Sequence, residues 1–338
     1  MPNNAEYRLA IYNQKGGIAK TTTTVALATA LAALGRSVLV IDLDAQGNAT
    51  RSLPVDETAD ADLFQLIEGD APLERGIVAT RIPGVSLLPS TLRLAAIETG
   101  LAEQLRSQRS LDQLLYASAV PFDIVLFDCP PAFGLLSVNA LVAADAVLIP
   151  VTASSFSWHG ITRTWDVVHK LKAGINKSLS IEGILLTMVD EDPISVEFAG
   201  AFRREYKSAV LETTVPRDRE VVKAATRGLP VLVTAPSAPA STAYFAIARM
   251  IAGRRPGQLP LPEAADAMAR LADWGEALKD RPAPTPVVAS DAPVPAATRA
   301  GSSVLGLAAT LVLGVAIGFA IAVLAPDLVA TARALMAL

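Results

Sequence analysis

Residues 13–23 read Asn13-Gln14-Lys15-Gly16-Gly17-Ile18-Ala19-Lys20-Thr21-Thr22-Thr23. A short apolar segment, Leu9 to Tyr12, precedes them and has the length and composition of a buried strand. Behind them runs Thr24 to Leu34, an Ala- and Leu-rich helical pattern that Gly35 stops. Strand, glycine turn, Lys-Thr and helix is the order of parts that holds a nucleotide's phosphates. The glycines let backbone N–H groups turn inward, and the helix N-terminus adds positive potential. Lys20 is placed to reach the β- and γ-phosphates, and Thr21 offers a hydroxyl to Mg2+. The full G-x-x-x-x-G-K-[ST] pattern requires glycine where this chain has Gln14 and Ala19, and a second lysine, Lys15, opens the turn instead. A chance glycine turn between a strand and a helix is the competing reading of this stretch alone.

Two further stretches bear on it. Ser37 to Ile41 is a second apolar strand and runs into Asp42-Leu43-Asp44-Ala45-Gln46-Gly47-Asn48-Ala49-Thr50. Carboxylates at the C-terminal end of a buried strand face the ligand crevice of an open α/β sheet. The bland alternative is an acidic strand-to-loop transition with a Gln-Gly-Asn turn. Phe122 to Pro131, Phe-Asp-Ile-Val-Leu-Phe-Asp-Cys-Pro-Pro, is an apolar run ending in Asp128. That arrangement puts a carboxylate beside Mg2+. A helix is expected over Gly134 to Leu141, and Cys129 reads as a small packing residue.

Lys15-Gly-Gly-x-Ala-Lys20-Thr21, the Asp42–Thr50 stretch and Asp128-Cys-Pro-Pro131, in that order, resemble the ParA/MinD superfamily of deviant Walker-A ATPases, ParA/Soj-like in detail. Ala45 replaces the proline of the family's first switch. The resemblance covers nearly all of residues 8–253 and implies ATP and Mg2+ as cofactors. It implies that Gly16, Gly17, Ile18, Ala19, Lys20, Thr21 and Thr22 bind the nucleotide, with Met188, Pro216 and Arg217 shaping the base pocket. Asp218 stands where the family carries Asn. By the same resemblance Thr21, Asp42 and Asp128 would form the magnesium environment, and Asp44 would orient the attacking water. Catalysis is assigned to Lys15, Lys20 and Asp44, with Lys15 reaching the nucleotide of a second subunit in an ATP-dependent homodimer.

Between these motifs the chain reads as alternating strands and helices. Short helices are expected at Leu63–Ile67 and Ser110–Ala119. A strand is expected at Val85–Pro89, with a helix after it to about Gln108. Strands follow at Ala146–Val151, Ile181–Thr187 and Leu211–Val215, and helices at Trp158–Lys172 and Ala240–Ile251. Such alternation argues for an α/β domain over residues 1–255, a doubly wound, mostly parallel sheet with helices on both faces of P-loop NTPase type.

The single cysteine excludes an intrachain disulfide and a cysteine-rich metal site. His159 and His169 lack a helical ligand spacing and read as surface or packing residues. No signal peptide is expected at Met1–Arg8, which is short and polar. The chain carries a net charge of −4, yet residues 200–260 hold ten basic residues against four acidic ones. In ParA-type relatives such late basic residues bind DNA nonspecifically through its phosphates. Arg203, Arg204, Arg217, Arg219, Lys223 and Arg227 are therefore candidates, a solvated charged surface being the alternative.

After Gly253 the character changes. Residues 256–280 contain an amphipathic helix over Glu263–Lys279, and residues 281–302 form a Pro/Ala-rich linker with an extended habit. Val304 to Ala325 is twenty-two residues without a charge. As a helix it spans ~33 Å, which matches a hydrocarbon core. A single transmembrane helix over 303–325 is expected, with a G-x-x-x-G face at Gly314–Gly318 and a short tail at 326–338. The chain would then sit in the inner (cytoplasmic) membrane as a single-pass protein with its ATPase domain cytoplasmic.

Together these readings imply a membrane-anchored ATPase switch. Its ATP-dependent dimerisation and hydrolysis would partition or position DNA or a protein cargo, with an unidentified activating partner. The alternative is a membrane scaffold that binds nucleotide with little turnover. A bacterial tyrosine kinase is a minor third reading, disfavoured because no tyrosine follows Tyr244.

Overall fold

The computed structural model describes residues 6–69, 71–95, 110–154, 157–254 and 260–280. All of these described residues belong to one compact unit, which runs to Pro284. The expected linker, transmembrane span and tail, and most of the helix expected to end near Gln108, lie outside the described residues. Among the described residues no helix is long and apolar enough to cross a membrane.

The compact unit is built on a seven-stranded sheet. Its strands are β1 (Tyr7–Ile11), β2 (Val38–Asp42), β3 (Val78–Ala79), β4 (Val85–Leu88), β5 (Ile124–Asp128), β6 (Ala146–Thr152) and β7 (Ser180–Thr187). They lie in the order β3-β4-β2-β5-β1-β6-β7. Every pairing is parallel except the edge pair β3–β4. Strands β2 and β5 are buried along their whole length, as strands covered on both faces must be.

Strand alternation divides the core in two. Leu9, Ile11, Val38, Val40, Ile124 and Leu126 face one side, with helices α1 (Lys20–Ala33), α10 (Pro239–Gly253) and α11 (Ala264–Leu278) over them. Ala10, Leu39, Ile41, Val125, Phe127 and Ile149 face the other. That side is covered by α4 (Ser110–Ala117), α5 (Leu135–Ala143), α6 (Ser157–Gly174) and α7 (Pro193–Tyr206). Twelve of the fourteen residues of α1 are buried, which accounts for its lack of a polar stripe. Smaller helices are α2 (Asn48–Ser52), α3 (Leu63–Glu68), α8 (Arg219–Thr226) and α9 (Val231–Thr234).

The strand expected at Leu211–Val215 does not form. Leu211 N donates to Ile184 O and Val215 N to Leu186 O, so four residues on this segment span two on β7. The intervening residues bulge away, and only isolated bridges at Val210 and Pro216 remain. Helices α7 and α8, absent from the sequence expectations, flank this bulged edge.

Candidate functional site

The crevice lies at the C-terminal ends of β1, β2, β5 and β7. Asn13 leaves β1 and is anchored twice: its Nδ2 donates to Pro150 O (2.8 Å), and its Oδ1 accepts from Thr164 of α6 (3.0 Å). Thr187 at the end of β7 donates to Ile18 O (3.1 Å). The loop between these anchors reverses through Gly17 at φ 68° and Ala19 at φ 65°. Gly17 accepts the left-handed region freely; Ala19 pays for it with a Cβ clash of about 1 kcal/mol. A Cβ at Gly16 or Gly17 would meet nothing within 4 Å, so the loop's outer face is open.

Lys20, the first residue of α1, is 7% exposed, and its Nζ donates to Lys15 O (2.8 Å), curling over the loop. Burial lowers its pKa, and the charge of Asp128 opposes that shift. Lys15 lies in its own chain's crevice, with Nζ donating to Ser157 Oγ (3.0 Å) at the start of α6. Ser157 in turn meets the hydroxyls of Thr152 (2.6 Å) and Ser154 (3.0 Å).

The carboxylates come together by register: Asp42 ends β2 opposite Asp128 at the end of β5. Both are fully buried. Asp128 accepts from Thr21 Oγ1 (2.7 Å) and Thr24 Oγ1 (3.0 Å). Asp42 accepts from Thr50 N (2.8 Å), Thr50 Oγ1 (2.7 Å) and Asp44 N (3.2 Å). Burial pushes both carboxyls up, Asp128 to about 8 with help from the charge of Asp42, and Asp42 to about 6. Asp44 turns back onto its own loop, accepting from Gln46 N (2.9 Å), and its charge still reaches Lys20. Thr22 follows Thr21 in the first turn of α1, half-buried. Burial raises the Cys129 thiol, which lies in the second core as a packing residue.

A third group adjoins the loop from β7. Met188 sits at φ 49°, and Val189 bridges Pro216. Arg217 grips Asp190 through Nε (2.8 and 3.0 Å), and its Nη1 lies 3.9 Å from Met188 Sδ. Met188, Pro216 and Arg217 are thus one cluster, one residue beyond the threonine that holds Ile18.

The six basic candidates are not one free patch. Arg217 is paired with Asp190, and Lys223 with Glu220. Arg203 donates to Glu212 O (3.1 Å), and Arg227 to Lys279 O (2.7 Å). Arg204 and Arg219 make no ion pair among the described residues.

Sequence reasoning missed Thr24, Thr50, Thr164, Thr187 and Ser157. Only Thr24 carried a usable signal, since it lies one helical turn after Thr21 and faces the same carboxylate.

An AAA domain family model matches residues 7–181. The chain is 36% identical over 250 residues to the chromosome partitioning protein ParA of Caulobacter vibrioides, covering 73% of this chain and 94% of that one. It is 34% identical over 247 residues to the sporulation initiation inhibitor protein Soj of Bacillus subtilis, covering 72% and 97%. Among solved structures it resembles cobyrinic acid a,c-diamide synthase from Mycobacterium smegmatis with bound ADP and magnesium. There the identity is 29% and the TM-score 0.62, over 75% of this chain and all of that one. It also resembles a Cyanothece McdA variant in complex with ATP, at 25% identity and TM-score 0.66, over 76% and 99%.

Proposed function

The chain belongs to the ParA/MinD-like family of AAA-domain ATPases, proteins of partitioning and positioning, and from that premise we propose that it is a membrane-anchored, ATP-dependent switch. The observation that carries the reading is the convergence of Lys20, Thr21 and two buried carboxylates on one open loop. Among the described residues no group of three or more His, Cys, Asp or Glu side chains could hold a metal alone. That donor set fits Mg2+, which prefers one or two protein oxygens completed by water and phosphate.

The loop's N–H groups and Lys20 would hold the β- and γ-phosphates, and Thr21 and Asp128 would hold the ion. Mg2+ supplies charge neutralisation on the phosphate oxygens. Asp42, beside Asp128 at the ends of the paired strands, would complete the magnesium environment and, through its bonds from Thr50 and Asp44, set the position of the first switch. Asp44 orients the attacking water. Lys15 leaves Ser157 and crosses to the nucleotide of a second copy, so that dimerisation reports the γ-phosphate. Residues 303–325 fix the switch to a membrane, and the basic residues of α7 and α8, with Arg217 before them, offer a nonspecific DNA contact. An activating partner or cargo completes the cycle.

The test is ATP turnover by the purified chain with Mg2+. Lys20→Ala and Asp44→Ala are each expected to lower kcat by about 10²-fold or more, the first by removing a cationic donor to the transition state and the second by removing the carboxylate that orients the water. Two variants that hydrolyse ATP like the wild type would show that this crevice is not the site.

A further inference from the structure

Asp218 holds the N-termini of two helices at once. Its Oδ1 accepts from Glu220 N (2.9 Å), so it is the N-cap of α8. Its Oδ2 accepts from Ala240 N (3.1 Å) at the start of α10. The second bond meets a need built into the sequence. The N-cap residue of α10 is Ala238, whose side chain cannot accept, and Pro239 has no N–H. Ala240 therefore carries the first N–H that needs an acceptor, and a residue twenty-two positions earlier provides it. A carboxylate suits both ends, because each helix N-terminus favours negative charge.

The consequence falls on the loop that contains it. Pro216 and Arg217 immediately precede Asp218 and meet Met188 and Asp190 at the end of β7. On the other side, α10 is fixed to the phosphate-loop helix: Tyr244 Oη and Thr23 Oγ1, both buried, lie 3.2 Å apart. Asp218 thus ties the Met188–Arg217 cluster, through α10, to the helix that begins with Lys20.

We propose that Asp218 is a positioning residue that sets the base-binding loop against the phosphate-binding helix, and so governs affinity for the nucleoside part of the ligand. This rests on the nucleotide-site reading above. Asparagine is the informative replacement, since an amide of the same shape supplies one acceptor oxygen instead of two. In Asp218→Asn one helix N-terminus loses its cap, and the loop loses its tie to α10.

The experiment is calorimetric titration of the detergent-solubilised full-length chain with Mg·ATP and with Mg·tripolyphosphate, which has the phosphates and no base. For Asp218→Asn, affinity for ATP is expected to fall by about fivefold, the worth of one lost cap, while affinity for tripolyphosphate stays at the wild-type value. Steady-state turnover should show the same split, with KM raised and kcat kept. Equal weakening of both ligands would make Asp218 a general fold residue and overturn the inference, as would no change in either. A wild-type chain that binds neither ligand would instead overturn the nucleotide-site reading itself.

Discussion

At the scale of single residues, Ala19 and Asp128 carry the clearest consequences. Ala19 occupies a left-handed position, φ 65° and ψ 29°, at the N-cap of α1. Ala19→Gly is expected to stabilise the fold by about 1 kcal/mol, seen as a higher urea midpoint with an unchanged m-value. Asp128 is a carboxyl whose folded pKa is raised to about 8 by burial and by Asp42. A raised carboxyl contributes its stability below its unfolded value and loses it as pH rises through the folded one. Asp128→Asn is therefore expected to raise the thermal midpoint of the nucleotide-free protein, with a larger gain at pH 8 than at pH 5. An equal gain at both would show that Asp128 titrates normally. The sequence made Asp128 and Thr21 visible as a pair, because both sit at fixed offsets in local motifs. It could not show Thr50 on Asp42 or Thr187 on Ile18, which depend on strand register and on chain segments far apart.

Among the elements, α11 shows what local pattern conveys and what it leaves out. Its apolar spacing, Leu271 and Leu278 among mixed charges, was readable as a helix with one buried face. Its partner was not. Gly275 lies so close to α9 that a Cβ there would stand 2.0 Å from Val233 O. Gly275→Ala must push two helix backbones apart and is expected to cost about 1–3 kcal/mol, lowering the thermal midpoint by several degrees. A midpoint equal to wild type would mean that α11 does not rest on α9. Conversely, the Leu211–Val215 segment has the composition of a strand and fails to become one, since its spacing against β7 is two residues too long for a continuous ladder. The signals for α7 and α8 were present as Asp192-Pro193 and Asp218-Arg219-Glu220, each an N-cap followed by a suitable first turn.

For the whole molecule, function turns on what the basic region and the apolar tail meet. Surface ion pairs such as Lys223–Glu220 are worth little, so pairing in the free protein does not remove these cations from use. A soluble fragment through Pro284, which keeps the compact unit entire, is expected to bind duplex DNA in an ATP-dependent manner with affinity falling steeply as salt rises. Arg204→Glu and Arg219→Glu are each expected to weaken that binding and to reduce the salt slope by about one. ATP-dependent retention that ignores salt, or none at all, would remove DNA from the partners. The full chain is expected to partition with membranes and the fragment with the soluble fraction; finding both in the soluble fraction would remove the anchor.

The last described helix also grips the first one. Arg270 of α11 donates to Ala33 O (3.0 Å), the carbonyl end of the helix whose opposite end holds Lys20 and Thr21. A displacement of α11 would therefore be passed to the C-terminal end of α1. The described chain is thus fastened end to end, its closing helix latched to the base of its opening one, so that loosening the latch in Arg270→Ala would be felt first at the foot of α1.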